Sequence, residues 1–290
     1  MLKKSLDFFF FNKKWKGSSL ERKIVLFFLL FTLFSLYLDF VWTYDYHSLF
    51  KDEEGDKNPT WKVLGNWQLG VFLKSSLYFT NQSNLLLVIF YYFFLVKKPL
   101  VKKPIYQIAF TIYISLTMIM YWIFLFPAVI KDNGFVSALL KNEYYSLAYF
   151  FVIDVTLLHA VTPLMFFVFY FLSLAGDKEI SVSSFIKKDF QKINVYPLLY
   201  FLFSFIFSRS FLYKNNKGVS NYLVLYMPIF GYEDGDDLFN LQIIIAFFSM
   251  AFILLFFCIF FIWFNNFKFF KTTNNINTFQ ATKQKINYPF

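Results

Sequence analysis

The sequence predicts an all-α polytopic membrane protein, built as a bundle of six transmembrane helices with both termini in the cytoplasm. Of its 290 residues, 58% are hydrophobic and 25% are aromatic, which is more apolar surface than a soluble domain can cover. Six apolar segments each have about the 20 residues that cross a ~30 Å hydrocarbon core as a helix. Helices suit this setting because they satisfy every backbone N–H and C=O group within lipid.

Residues 1–23 are predicted to form a basic cytoplasmic tail. The tail is not expected to be a cleaved signal peptide, because its charged region is long and no small-residue cleavage site follows the first span. Residues 7–16 (DFFFFNKKWK) place aromatic residues beside lysines. This pattern suits an interfacial anchor on an anionic leaflet, and it suits a disordered basic tail equally well.

The transmembrane domain is predicted over residues 24–264. Its six spans are residues 24–44, 77–96, 105–126, 145–174, 195–213 and 239–264. The loop at 45–76 carries Trp61 and Trp67, which are expected at the membrane interface. Residues 222–230 are apolar but too short to span, so a re-entrant or surface-lying segment is expected. Residues 265–290 are predicted to be a disordered cytoplasmic tail.

The basic residues that give the net charge of +10 are distributed according to the predicted membrane spans, so they do not indicate a nucleic-acid partner. Nineteen basic residues flank the spans on the side of the two termini, and eight lie in the opposite loops. The positive-inside rule therefore places both termini in the cytoplasm of a multi-pass cell-membrane protein. Membrane lipids are the expected partners, and the sequence identifies no protein partner.

Few residues are suited to metal or disulfide chemistry. Cys258 is the single cysteine, which excludes an internal disulfide and a thiolate metal site. There are two histidines, too few for a histidine-based metal site, and the acidic run GYEDGDD (231–237) is more typical of a solvated loop than of a metal site. No metal and no cofactor are expected. All nine glycines lie outside the spans, which removes a GxxxG packing motif and weakens a transporter interpretation.

Four of the spans carry a polar or ionisable residue at a similar depth. These residues are Asp39, Thr80, His159 and Arg209. Counted from the cytoplasmic ends of their spans, all four lie about 21–24 Å above the inner boundary. Such groups are costly in lipid, so a layer of them predicts a functional site in the outer half of the membrane.

The polar residues also share helix faces. The second span has a polar stripe of Thr80, Ser83 and Asn84. The fourth span has a stripe of Thr156, His159 and Thr162, with Asp154 at its edge. Spacings of three and four residues lie on one face of a helix, and polar faces are expected to point into the bundle. Thr80 and His159 should therefore approach each other.

Each of these residues also has an interpretation without function. A membrane threonine often bonds back to the carbonyl four residues earlier, and a buried histidine often joins two helices. Asp39 and Arg209 would also make a structural ion pair. Pro163 lacks an amide hydrogen and should free the carbonyl of His159. The combination of a hydroxyl, an imidazole and carboxylates provides the parts of an activated nucleophile.

Three segments carry a resemblance to a known family. They are SLYFTNQSNLLL (76–87), LLHAVTPLMFF (157–167) and VYPLLYFLF (195–203). They resemble a bacterial group of six-helix membrane proteins that is similar to the eukaryotic androgen-induced-gene family. Members of that family hydrolyse fatty acid esters of hydroxy fatty acids with a membrane threonine and a histidine. Thr80 and His159 match these two residues.

The resemblance implies a membrane-embedded lipid acyl-ester hydrolase, or an acyl transferase. Because the polar layer lies in the outer half of the membrane, the substrate is expected to enter from the outer leaflet. Thr80 would be the nucleophile and His159 the base. Asn81 or Asn84 would stabilise an oxyanion, and Arg209 would hold a carboxylate or phosphate head group. Two other classes stay open. They are a lipid- or small-molecule-binding transport protein and a structural subunit of an envelope assembly in which the polar layer serves packing alone.

Overall fold

The computed structural model describes residues 17–49, 75–76, 78–119, 121–122, 126, 135–141, 143–176, 178–210, 213–214, 220–221 and 252–270. The features predicted at residues 1–16, 222–230, 231–237 and 271–290, together with Trp61 and Trp67, lie outside the described residues.

The described chain is helical, apart from one short β ladder, and this confirms the predicted all-α class. The helices are α1 Ser19–Leu49, α2 Phe79–Leu95, α3 Pro104–Ile119, α4 Phe135–Lys141, α5 Tyr145–Leu174, α6 Val182–Lys188, α7 Phe190–Ser210 and α8 Phe252–Phe270. A 3-10 turn, Pro99–Lys102, joins α2 to α3. The ladder pairs β1 Tyr213–Lys214 with β2 Ser220–Asn221 in antiparallel register.

Three helices are long and apolar enough to cross a membrane. These stretches are Ser19–Asp45 within α1, Tyr145–Leu174 and Phe252–Phe270. Helices α2 and α3 are apolar but shorter, with 17 and 16 residues. A length of 19 to 30 residues corresponds to about 28–45 Å of helix, which matches or exceeds the hydrocarbon core. The chain is therefore a membrane protein by the length and composition of these helices.

The outer faces of the helices are apolar. On α1 the exposed stripe contains Phe27, Leu30, Phe34 and Tyr37, and Phe27 is 58% exposed. On α8 the stripe begins with Phe252, which is 71% exposed, and continues through Phe256 and Trp263. Water would disfavour such continuous apolar stripes, whereas lipid tails accept them. The exposed faces therefore agree with a lipid environment.

Helix α1 begins five residues before the predicted span and ends five residues after it. Ser18 Oγ accepts a hydrogen bond from the Glu21 amide at 3.1 Å, and the Glu21 carboxylate accepts from the Gly17 amide. A serine followed three residues later by glutamate is a helix-start signal. Residues 19–23, predicted to belong to the tail, are therefore helical, because this cap extends the helix beyond its apolar part.

The other predicted spans agree with the structure to different extents. The span predicted at 145–174 is confirmed, since α5 has the same bounds. Helix α2 lies within two residues of its prediction at each end, whereas α7 begins five residues early, so that Pro197 lies inside it. Helix α8 continues to Phe270, which makes residues 265–270 helical and corrects their assignment to a disordered tail.

Side-chain hydrogen bonds hold the extended end of α8. Asn265 accepts from the Gly176 amide and donates to Lys178 O, both at 2.8 Å. Asn266 accepts from the Ile180 amide at 2.8 Å and donates to its carbonyl at 2.7 Å. Gly176 has φ +86°, and an added Cβ would lie 2.8 Å from Lys268 Cγ, so glycine is required both by conformation and by space.

The core lies between α1, α2, α3, α5 and α8. Its largest fully buried side chains are aromatic, among them Phe90 and Tyr91 from α2 and Phe166 and Tyr170 from α5. Phe90 and Phe166 meet edge to face, with ring centroids 5.5 Å apart. This packing sets α2 directly against α5 and so places the polar residues near the start of α2 beside the middle of α5.

Candidate functional site

The structure brings Thr80 and His159 into direct contact. Thr80 is the second residue of α2 and is buried, and His159 lies midway along α5. Thr80 Oγ1 lies 2.8 Å from His159 Nε2, a hydrogen-bond distance between residues that are 79 positions apart in the chain. The helix crossing therefore pairs a hydroxyl with an imidazole.

The second ring nitrogen defines the direction of this hydrogen bond. His159 Nδ1 lies 3.0 Å from the carbonyl oxygen of Val155. A carbonyl only accepts, so Nδ1 carries the hydrogen. In a neutral imidazole Nε2 then has a lone pair and accepts, and Thr80 Oγ1 donates to it. This tautomer is the one in which a histidine takes a proton from a hydroxyl nucleophile.

A π turn and a proline shape the backbone at His159. Helix α5 widens to a π turn over Leu157–Val161, and Pro163 follows as the second residue of the next α segment. Pro163 has no amide hydrogen, so the carbonyl of His159 has no helical donor one turn later. Trp122 Nε1 donates to this carbonyl at 3.0 Å. The carbonyl that the sequence predicted to be free is thus bound by an indole.

Tyr121 covers the imidazole. The centroids of the Tyr121 and His159 rings are 3.9 Å apart, with 32° between the ring planes. Tyr121 is buried, and its ring also meets that of Trp122 edge to face at 5.4 Å. Tyr121 therefore orients His159 through the imidazole ring, and Trp122 orients it through the backbone carbonyl.

Asn84 links the two helices one turn below Thr80. Its Nδ2 donates to Thr80 O at 2.9 Å and to Leu158 O at 3.3 Å. Its Oδ1 accepts from Thr162 Oγ1 at 2.5 Å. Ser83 adds a link to the third helix, since its Oγ lies 2.7 Å from Thr117 Oγ1. These buried bonds hold the start of α2 in register with α3 and α5.

A second polar cluster surrounds Asp39 on α1. Asp39 Oδ2 accepts from Ser75 Oγ at 2.8 Å and from Asn81 Nδ2 at 2.6 Å. Asp154 of α5 is buried near Asp39, and its Oδ1 has no hydrogen-bond partner. Asn81 Nδ2 also donates to Ser75 O at 2.8 Å. This cluster lies next to the Thr80–His159 pair. Asn81 directly follows Thr80 in the sequence, and Asp154 directly precedes Val155, whose carbonyl binds His159.

Several of the predicted site residues have positions that differ from the expected ones. Thr156 is exposed and bonds back to Val152 O at 2.7 Å, so it leaves the predicted stripe, because the π turn after it changes the helical register. The Nδ2 groups of Asn81 and Asn84 already donate to other acceptors, as described above. For Arg209, near the end of α7, the structure describes the backbone alone, so its predicted contact with Asp39 or a head group stays a prediction.

Four residues of the site were not predicted from the sequence. These are Ser75, Thr117, Tyr121 and Trp122. Thr111 and Ser115 share one face of α3 by a spacing of four, but Thr117 lies two residues after Ser115 and points elsewhere, so spacing did not connect Thr117 with Ser83. Tyr121 and Trp122 lie near the end of a span, where aromatic residues are ordinarily assigned to the membrane interface.

Comparison of the chain with protein-family models, with curated proteins and with solved structures finds no match. Within the described parts of the chain, no three His, Cys, Asp or Glu side chains converge on one point. The site is therefore defined by its own geometry, a hydroxyl–imidazole pair beside the polar cluster around Asp39.

Proposed function

We propose that the chain is a membrane-embedded lipid acyl-ester hydrolase, or an acyl transferase, with Thr80 as its nucleophile and His159 as its general base. The observation that supports this proposal is the 2.8 Å contact between Thr80 Oγ1 and His159 Nε2. The Val155 carbonyl holds the imidazole in the accepting tautomer. A threonine is a weak nucleophile unless an adjacent base activates it, and this geometry provides that base.

The proposed reaction has two halves. Thr80 Oγ1 attacks the acyl carbonyl while its proton passes to His159 Nε2, and the tetrahedral intermediate expels the alcohol, which takes that proton from His159. Water then attacks the acyl-threonine ester with His159 again as base, and the fatty acid leaves as Thr80 regains its hydrogen. In a transferase a second alcohol takes the place of water. Asn81 or Asn84 would stabilise the oxyanion after releasing a present hydrogen bond.

The setting supports a lipid substrate. The exposed faces of α1, α5 and α8 are apolar, and His159 is only partly buried. An acyl chain in the membrane would contact these apolar faces as it approaches the imidazole. The same chemistry is implied by the resemblance of these segments to the androgen-induced-gene family, and a carboxylate or phosphate head group would meet Arg209.

Labelling of the purified protein with a lipophilic fluorophosphonate tests the nucleophile. We expect the wild-type chain to be labelled and Thr80→Val to be unlabelled, because fluorophosphonates phosphonylate an activated hydroxyl. Thr32→Val is the matched control, since Thr32 is buried in α1 and bonds back to Phe28 O at 2.8 Å. Equal labelling of Thr80→Val and wild type would remove Thr80 as the nucleophile.

A structural role for the cluster is the second candidate. The bonds from Asn84 to Thr162 and from Ser83 to Thr117 join three helices, as packing contacts do. A folded wild-type protein that resists fluorophosphonate and turns over no acyl ester would favour this candidate over the hydrolase.

We further propose that six helices cross the cell membrane and that both termini are cytoplasmic. The asymmetry of basic residues supports this topology. A cysteine in place of Asp56 should react with an impermeant thiol reagent in intact cells, whereas one in place of Lys98 should not. Cys258 is buried and should give little background. The opposite pattern of labelling would invert the topology and move the polar layer to the cytoplasmic half.

A further inference from the structure

The connection between α2 and α3 carries two Lys-Lys-Pro triplets, at 97–99 and 102–104. Its four lysines are exposed. The sequence contains no acidic residue between Asp56 and Asp132. Among the described residues, none of the four ammonium groups has a carboxylate partner. Residues 97–103, here called the basic turn, therefore carry positive charge that nothing nearby in the sequence compensates.

The backbone of the basic turn is held in one conformation. Lys97 has φ +58°, the left-handed conformation that often ends a helix, and its amide donates back to α2 at 3.0 Å. Lys98 and Lys103 each precede a proline and are extended, with ψ angles of 137° and 124°. Val101 is 3% exposed and anchors the turn in the core. The lysines therefore project from a preorganised backbone, which lowers the entropy lost on binding.

An apolar stripe on α2 leads directly to the basic turn. Its side chains recur at spacings of three and four residues, lie on one face of the helix and are 39% to 54% exposed; they are Leu85, Ile89, Tyr92 and Val96. Lys97 follows the last of them. An acyl chain lying along this stripe would therefore bring its head group to the level of the lysines.

We propose that the basic turn and the apolar stripe bind an anionic phospholipid, whose phosphate contacts the lysines while one acyl chain lies along α2. Lysine clusters beside a membrane helix attract anionic lipid head groups, and the stripe favours a lipid over a soluble anion or a nucleic acid. Thr80 is the second residue of α2, so about 25 Å of helix separates it from Lys97. The lipid site does not depend on the proposed hydrolase.

The connection from α5 to α7 provides a matched comparison. It lies at the same end of the bundle, since Phe94 of α2 meets Phe169 of α5 with ring centroids 4.9 Å apart. It also contains four lysines, at 178, 187, 188 and 192, but three acidic residues lie among them, at 177, 179 and 189. Lys192 Nζ lies 3.0 Å from Asp189 Oδ1. Its positive charge is therefore largely compensated, whereas that of the basic turn is not.

Native mass spectrometry of the purified protein tests the lipid site without any substrate. The protein is mixed in detergent with phosphatidylglycerol or with phosphatidylcholine of the same chain length, and the lipid that stays bound is counted. We expect wild type to retain phosphatidylglycerol preferentially. Each lysine near an anionic lipid strengthens binding by roughly fivefold. Neutralising the turn should therefore remove the preference; the four changes are Lys97→Asn, Lys98→Gln, Lys102→Gln and Lys103→Gln.

The control variant removes the same charge from the α5–α7 connection and should keep most of the preference; its changes are Lys178→Gln, Lys187→Gln, Lys188→Gln and Lys192→Gln. All eight lysines are exposed, so both variants should fold, and circular dichroism checks their helices. Equal retention of the two lipids by wild type would overturn the proposal without any variant. Equal losses in the two variants would assign the preference to net charge alone. Displacement of the lipid by glycerol phosphate at the same concentration would assign the turn to a soluble anion.

Discussion

Thr80→Ala and His159→Ala should each lower the rate of acyl-ester turnover by roughly 10²–10⁴-fold, the range for loss of a general base. The double variant should lose little more. The two side chains share one hydrogen bond of 2.8 Å, so neither is effective without the other. Residues that act as one unit show strongly non-additive effects on rate. Single-turnover measurements on the four proteins in detergent micelles or vesicles would give the two single losses and the double one.

Conservative replacements of Thr80 separate chemistry from packing. Thr80→Ser keeps the hydroxyl and should retain part of the rate, whereas Thr80→Val keeps the shape and should lose as much of the rate as Thr80→Ala does. Thr32→Val serves as the control for replacing a buried threonine in a membrane helix, and its rate should match that of wild type. A folded Thr80→Val protein with full activity would make Thr80 a packing residue.

Asp39→Leu should lower the free energy of unfolding by roughly 1–3 kcal/mol, because it leaves buried polar groups without their acceptor. The Ser75 hydroxyl and the Asn81 amide both lose Asp39 Oδ2 as their acceptor. Asp39→Asn keeps an oxygen that accepts hydrogen bonds and should cost less. Thermal unfolding in detergent would compare the two variants with wild type.

A double-mutant cycle distinguishes the partners of Asp39. Asp39→Leu combined with Asn81→Leu should be less destabilising than the sum of the single changes, with a coupling of about 0.5–3 kcal/mol for residues in contact. If Asp39 instead pairs with Arg209, as the sequence predicts, Asp39→Leu and Arg209→Leu should show a coupling of this kind. Additive effects with Asn81 and coupled effects with Arg209 would favour the ion pair and contradict the contacts around Asp39.

Local pattern alone was sufficient for the all-α class and for the bounds of α5. The apolar run from Tyr145 to Leu174 has the length of a membrane helix, and residues of one helix share a face by spacing alone. The same reasoning placed Thr80, Ser83 and Asn84 on one side of α2, where all three are buried. The sequence also predicted that Pro163 leaves the His159 carbonyl without its helical hydrogen bond, since a proline lacks an amide hydrogen in every fold.

Contacts between distant segments were decided by the tertiary structure. Trp122 and Tyr121 meet His159 because α3 ends beside the π turn of α5, and a π turn has no local sequence signature that spacing rules use. The same turn removed Thr156 from its predicted stripe. Asp39 meets Ser75 and Asn81 because α1 packs against the start of α2 at that level. Which polar group meets which across three helices depends on their crossing angles and rotations, and these are set by the packing of the whole core.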